Sequence, residues 1–377
     1  MKTIVIASDS FKGTLSSLDI CHLFKDALKN RNDIKAIYLP LADGGEGSLD
    51  AISEAIEGRF IEVGVNDLYF HKIKTHFFVD NDNNAYIETA SCDGLALAKE
   101  NNDPGLVTTY GLGEQILAAI NLGIKNIYIF LGGSASNDGG VGLASALGTR
   151  FYNKENKAFI PTGLILKDIV RIDNETAIER LKGINIVALS DVKSPFYGKE
   201  GAAYKFAKQK GADEKEIEEL DQGLRHLSNI IKNDLSIDVS NVAGSGAAGG
   251  LGGGLLAFAN AKLVSGINTI LDLIHFDTCI KNADLVISGE GKLDKQTYDG
   301  KVIDGVASRC QSFNKPLGII VGISEISLED IKKSYPCIKF IYETNDKHLP
   351  FDQVKKTAVE DYKTTIGRLL DKELNSY

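Results

Sequence analysis

Residues 3–8 of this chain form an unbroken apolar run, the pattern of a strand covered on both faces of a parallel sheet. Ile20, Leu23, Phe24, Ala27 and Leu28 then recur at helical spacing, with Ser16 placed as a cap and Asp19 in the first turn. A second short strand at 36–39 is stopped by Pro40. The last third repeats the pattern, with apolar strands at 285–288, 317–321 and 338–342 separated by helical segments. Such alternation predicts a parallel doubly wound sheet.

The middle reads differently. Residues 69–86 are polar, rich in aromatics and roughly alternating, as antiparallel strands are. A helix near 113–121, a strand at 126–131, a Gly/Ala helix at 140–147 and a strand at 184–189 follow. Ile217, Leu220, Leu224, Leu227 and Ile231 mark a long amphipathic helix. The expected fold is therefore α/β in two domains. One is an open sheet domain built from both chain ends, residues 1–63 and 282–377; the other is a mixed α/β domain, residues 64–281, inserted between them. Open α/β sheets bind ligands beyond the carboxyl ends of their strands, so the active site is expected there, in the cleft between the domains.

Charge and composition narrow the partners. A formal net charge of −9 argues against a nucleic acid or an anionic membrane as partner, because both need clustered positive charge. It leaves an anionic small molecule open, since a few lysines and helix N-termini can hold one locally. The chain reaches Asp9 after a short apolar run, which reads as a first strand rather than a secretory leader. The longest uncharged stretch, 239–261, is too diluted by Gly, Ser and Asn for a lipid-facing span. Five cysteines never stand in CxxC spacing, and the six histidines show no HxxxH or HExxH, so reduced thiols are expected and a zinc site is not. A cytoplasmic enzyme is the consistent expectation.

Five turns share one grammar, an apolar strand running into Gly with Asp, Glu, Ser or Lys. They are SDSFKG (8–13), ADGGEG (42–47), GGSASNDGG (132–140), SDVKSP (190–195) and SGEGKLD (288–294). Glycines there let backbone N–H groups approach an anion, carboxylates can hold Mg²⁺ or accept a proton, and lysines can offset phosphoryl charge. Any one such turn is commonly only a turn, because Asp caps helices and Gly permits positive φ. Five at strand ends point to a shared site for an anionic ligand. Asp9 with Lys12 is the best-placed pair; Asp43 and Glu46 could equally be helix-dipole partners.

A further stretch, 244–249, satisfies GxGxxG. The residues before it are polar and poor as a buried strand, so a nicotinamide fold is not well supported. Close packing of a small-residue helix and a backbone wall beside a nucleotide stay open as readings. No GxxxxGK[ST], HRD, DFG or GxSxG is present. Lys205, Lys208 and Lys210 form a small basic stretch that is either a solvated helix face or a contact for a substrate carboxylate or phosphate.

The turns just quoted, with SDVKSPFYGKEGAAYKFAKQKGA (190–212), GSGAAGGLGGGLLA (244–257) and DLVISGEGKLDKQTYDGK (284–301), resemble in order the motifs of class I bacterial glycerate kinases. The resemblance covers essentially the whole chain and is weakest at 60–85 and after 325. It implies ATP-dependent phosphorylation of D-glycerate with Mg²⁺, leaning towards 2-phosphoglycerate, and a flavodoxin-like domain with a second domain inserted. Carried over by position, Asp9, Lys12 and Asp191 are the expected catalytic residues. Ser10, Asp43, Gly44, Gly45, Glu46 and Lys208 are expected at the substrate; Gly132, Gly133, Ser134, Asn137, Asp138, Gly244, Gly246 and Gly249 at the nucleotide; Glu290 and Asp294 at Mg²⁺. Asp9 and Glu290 belong to one domain, with Asp138 and Asp191 expected to face them from the other. Two departures stand out. The family's CDVxNP has Ser190 and Ser194 in place of Cys and Asn, which speaks against an essential thiol. Its GKxPxGVA lacks the Pro over 300–307. The rival readings are a NAD(P)-dependent dehydrogenase of a small hydroxy acid, resting on 244–249, and a non-catalytic nucleotide-binding module. A homodimer is left open.

Overall fold

The computed structural model describes residues 1–374 except Glu46 and Asn101, and leaves the side chains of Gln296 and Asp299 undescribed. It divides into two compact units. The first comprises Met1–Asp43, Asp50–Ile56 and the chain from Ser265 onward; the second comprises Gly44–Leu49 and Glu57–Val264.

The first unit is built on a five-stranded sheet, wholly parallel. Counting its strands along the chain (Lys2–Ile6, Ile34–Tyr38, Leu285–Leu293, Leu317–Ser324 and Ile338–Glu343), they lie in the order 2-1-3-4-5, the flavodoxin-like arrangement. The opening helix, Ser17–Leu28, begins with a capping box: Ser16 Oγ accepts from the Asp19 N–H at 3.0 Å, and Asp19 Oδ2 accepts from the Ser16 N–H at 2.9 Å. Its apolar face, with Ile20 and Phe24, packs against Ile4 and Ile6 of the sheet and against Tyr362 of the long helix Phe351–Leu369. Phe11 and Phe24 both meet the Tyr362 ring edge-on, at 5.3 and 6.3 Å between centroids.

The second unit holds a six-stranded mixed sheet and a small three-stranded antiparallel one. In the larger, Asn84–Glu88, Asn126–Phe130, Asn185–Leu189 and Lys262–Val264 run parallel, and the hairpin Gly58–Asn66 with Lys72–Asp80 adds antiparallel strands at one edge. The 22-residue helix Glu214–Leu235 is capped by Asp213, which accepts from the Glu216 N–H at 2.8 Å.

Three segments sit with a different unit from the one expected, and the first of them, Gly44–Leu49, falls in the second unit. Residues 57–63 pair into the second sheet along the whole hairpin, while the helices Gly266–Leu273 and Phe276–Ile280 belong to the first unit, where Arg309 bonds both Asp272 and Asp277. The strand expected at 285–288 continues to Leu293, which places Glu290 within a strand rather than in the turn after it. Among the described residues, no helix is long and apolar enough to cross a membrane; the stretch 239–261 contributes the buried helix Leu251–Ala259.

Candidate active site

Three carboxyl groups gather at the carboxyl edge of the first sheet. Asp9 follows the strand Lys2–Ile6, Asp43 follows Ile34–Tyr38, and Glu290 lies on Leu285–Leu293. The first and third strands are neighbours, so Asp9 and Glu290 stand at the point where the strand order reverses, the usual ligand position in such sheets. The Asp9 N–H donates to the Gly289 carbonyl at 3.0 Å, and Asp9 Oδ1 accepts from the Ser10 N–H at 2.7 Å.

The two acids are almost sealed from solvent, Asp9 at 9% and Glu290 at 3% exposure. Burial pushes the Asp9 carboxyl up to about 7; the charges of Asp43 and Glu290 add to the rise, and the Ser10 N–H and Lys12 oppose it. Glu290 is likewise pushed up to about 7 by burial, against the Thr297 hydroxyl, which donates to its Oε1 at 2.5 Å, and against Lys301. All three acids open onto one cavity of about 460 Å³, together with Ser10, Lys12, Lys292 and Lys301. Lys292 Nζ lies 2.8 Å from Glu325, and both Lys292 and Lys301 stand 3.7 Å from Asp294. Carboxyl groups poised near neutrality beside several ammonium groups can take a proton from an alcohol next to a bound anion.

The remaining turns are woven together inside the second unit. The Gly132 N–H donates to the Gly44 carbonyl at 3.2 Å, and the Gly47 N–H to Glu88 Oε1 at 2.7 Å. The Gly139 N–H reaches the Gly249 carbonyl, and the Gly246 N–H reaches the Ser194 carbonyl, each at 3.0 Å. Gly45 and Gly133 are half-buried, as is Asp191, which belongs to this unit; Glu46 lies outside the described residues.

Several residues expected at the nucleotide have close internal partners. A Cβ at Gly246 would stand 2.2 Å from the Pro195 carbonyl oxygen, and one at Gly249, where φ is +68°, 2.2 Å from that of Ser136. At Gly244 it would stand 3.2 Å from the Val192 oxygen. Backbones cross closely at these positions, where only glycine fits without a shift. No strand leads into the motif, and the helix starts only at Leu251, so the dinucleotide alternative lacks its strand–turn–helix setting. Asp138 is fully buried, accepting from Thr109 N and Oγ1 at 2.9 Å each, Gly140 N at 2.9 Å and Gly142 N at 3.2 Å. Both its oxygens are thus occupied in joining the starts of the helices Tyr110–Asn121 and Val141–Leu147, and burial raises its pKa. Asn137 is also fully buried, and its amide finds no partner among the described residues.

The three lysines of the basic stretch have different surroundings. Lys208 is exposed and Lys205 pairs with Glu200 at 2.6 Å, while Lys210 is buried at the end of the short 3-10 turn Lys208–Lys210. Its Nζ donates to Ser134 Oγ at 2.9 Å and to the Ser136 carbonyl at 2.6 Å. Ser136 Oγ in turn donates to Asp93 Oδ2 at 2.6 Å. Burial drives Asp93 up and Lys210 down, while the attraction of their opposite charges works against both shifts. Asp93, Thr297 and Lys301 were not singled out by sequence reasoning. Only the Asp–Gly pair at 93–94 and the Thr and Lys close behind Glu290 hinted at them.

Among the described residues, no three His, Cys, Asp or Glu side chains are grouped to hold a metal ion. Mg²⁺ commonly takes only one or two carboxylates and completes its shell with phosphate and water, so the paired acids Glu290 and Asp294 fit it on those terms.

A family model described as the glycerate kinase family matches residues 4–371. A glycerate kinase of Bacillus cereus is 42% identical over 324 residues, covering 85% of this chain and 84% of that protein. A glycerate 2-kinase of Escherichia coli is 37% identical over 331 residues, covering 87% and 86%. A crystal structure from Salmonella typhimurium LT2, described provisionally as a glycerate kinase 2, superposes with a TM-score of 0.83 at 35% identity, covering 100% of this chain and 98% of that one.

Proposed function

Because this chain belongs to the glycerate kinase family, we propose that it phosphorylates D-glycerate with ATP as donor, favouring the 2-phospho product. The observation that carries the reading is the meeting of Asp9, Asp43 and Glu290 with three lysines at the switch point of the 2-1-3-4-5 sheet. Phosphoryl transfer asks for positioning and charge compensation more than for covalent chemistry, and that donor set supplies both.

Asp9 is the proposed general base. A carboxyl held near 7 is matched to removing a hydroxyl proton at neutral pH, and its bond from the Ser10 N–H fixes one oxygen while the other is left for the alcohol. Asp191, in the second unit, is proposed as a further catalytic residue. Ser10, Asp43, Gly44 and Gly45 are proposed as substrate contacts, with Lys12 and Lys301 offsetting carboxylate or phosphoryl charge. Glu290 and Asp294 would hold Mg²⁺ with phosphate oxygens and water, and the ion when bound neutralises charge on the phosphates.

One ³¹P NMR spectrum of the product formed from ATP and D-glycerate tests reaction and position together. A 2-phosphoglycerate resonance is expected; 3-phosphoglycerate overturns the positional part, and no phosphorylated product overturns the reading. Asp9→Asn and Asp191→Asn, assayed separately for ADP formation, are each expected to lose about 10²–10³ in kcat. Near-parental turnover in both would remove the proposed roles.

A further inference from the structure

The cavity at the carboxyl edge of the first sheet has an end that glycerate chemistry leaves without a purpose. Beyond the acids and lysines its wall is made by Phe11, Leu15, Ile323, Leu349, Phe351 and Val354. A three-carbon hydroxy acid has almost no apolar surface to bury there. At about 460 Å³ the cavity instead falls in the ~300–1,000 Å³ range of sites for much larger ligands. Leu349 and Phe351 remain 38% and 53% exposed at this wall, and large apolar side chains left open around one cavity mark a binding surface.

The apolar and charged ends are continuous. Gly13, at φ +77°, passes so close to the Phe351 ring that a Cβ there would stand 3.0 Å from Cζ. The turn carrying Asp9 and Lys12 therefore runs directly against that ring. Thr344 and Asn345, just past the strand Ile338–Glu343, add a hydroxyl and an amide to the same lining. An occupant of this space needs a flat or apolar body at one end and strong negative charge at the other.

We propose that this cavity, rather than the Gly-rich turns at 132–140 and 244–254, receives the nucleotide. The base lies against Leu349, Phe351 and Val354, and the phosphates extend towards Lys12, Lys292 and Lys301. The proposal rests on ATP being the donor and says where in this chain it is held. It agrees with the crossed backbones at Gly246 and Gly249, which leave those positions no open face.

Binding and location can be read without turnover. Calorimetric titration with ADP is expected to show Phe351→Ala weakened about tenfold, the range for losing one aromatic beneath a base, with Phe351→Tyr close to the parent. Photolabelling with 8-azido-ADP is expected to mark a peptide within 344–358. Label confined to 132–140 or 244–254, or equal ADP affinity in Phe351→Ala, overturns the placement while leaving glycerate phosphorylation standing. A protein that binds no ADP and forms no phosphoglycerate overturns both.

Discussion

Asp9 donates its backbone N–H to the carbonyl of Gly289 at 3.0 Å, so the carboxyl-bearing end of one strand is tied to the residue directly before Glu290. That bond extends the pairing of the two strands, which brings two acids from opposite ends of the chain to one cavity. Each is held there at a cost in desolvation, which has consequences for pH, stability and turnover.

Asp9 has a folded-state pKa of about 7, above its ordinary value. Its protonated form is the one the fold favours, so its contribution to stability is complete below about pH 4 and is lost as pH climbs through 7. Asp9→Asn removes the buried charge. It is expected to stabilise the protein at pH 8 by on the order of 1–3 kcal/mol, to differ little from the parent at about pH 4, and to be nearly inactive. Thermal melts at the two pH values, beside an ADP-release assay, check this; a variant less stable than the parent at pH 8 contradicts it.

Thr297 is fully buried and its hydroxyl donates to Glu290, holding that pKa down against burial. Thr297→Val keeps the shape and deletes the donor, so the Glu290 pKa should rise further. The acid limb of the kcat/KM profile is expected to move up by about one pH unit, since Glu290 works as a carboxylate. An unmoved limb would speak against a charged Glu290 in the reaction.

Lys210 and Lys208 are two residues apart and should behave oppositely. Lys210→Met removes the buried ammonium that holds the Ser134 and Ser136 groups and leaves Asp93 uncompensated, for an expected loss of about 3–5 kcal/mol. Lys208→Met, at an exposed position, should stay within about 0.5 kcal/mol of the parent. Urea denaturation of both variants decides, and equal midpoints would refute the distinction.

Gly249 and Gly64 offer a matching contrast in backbone. Gly249→Ala meets both a left-handed φ and the Ser136 carbonyl at 2.2 Å, so a loss of about 3 kcal/mol or more is expected. Gly64 sits in a strand with nothing within 4 Å of a built Cβ, and Gly64→Ala should be neutral or gain up to ~1 kcal/mol. Differential scanning calorimetry compares them; a well-folded Gly249→Ala would mean the two turns can separate.

The strands and helices were legible because their signals are local. The unbroken run at 3–8, the Ser16–Asp19 cap and the heptad-like spacing of Ile217–Ile231 each sit where the structure has an element, with ends shifted by a few residues. The ordered Gly/Asp turns, which depend on chain order alone, sufficed for the family. Three-dimensional packing decided which groups of these turns come together and which are buried. Asp9 and Glu290 are far apart in sequence and meet only because their strands pair. Asp138 looked like a ligand residue and is a buried acceptor of four bonds. Lys210, not Lys208, turns inward because the end of a short 3-10 turn fixes which of two neighbouring lysines is covered. Residue type and spacing record which chemistry is available; burial and partners, which are long-range, decide which groups keep a free face to use it.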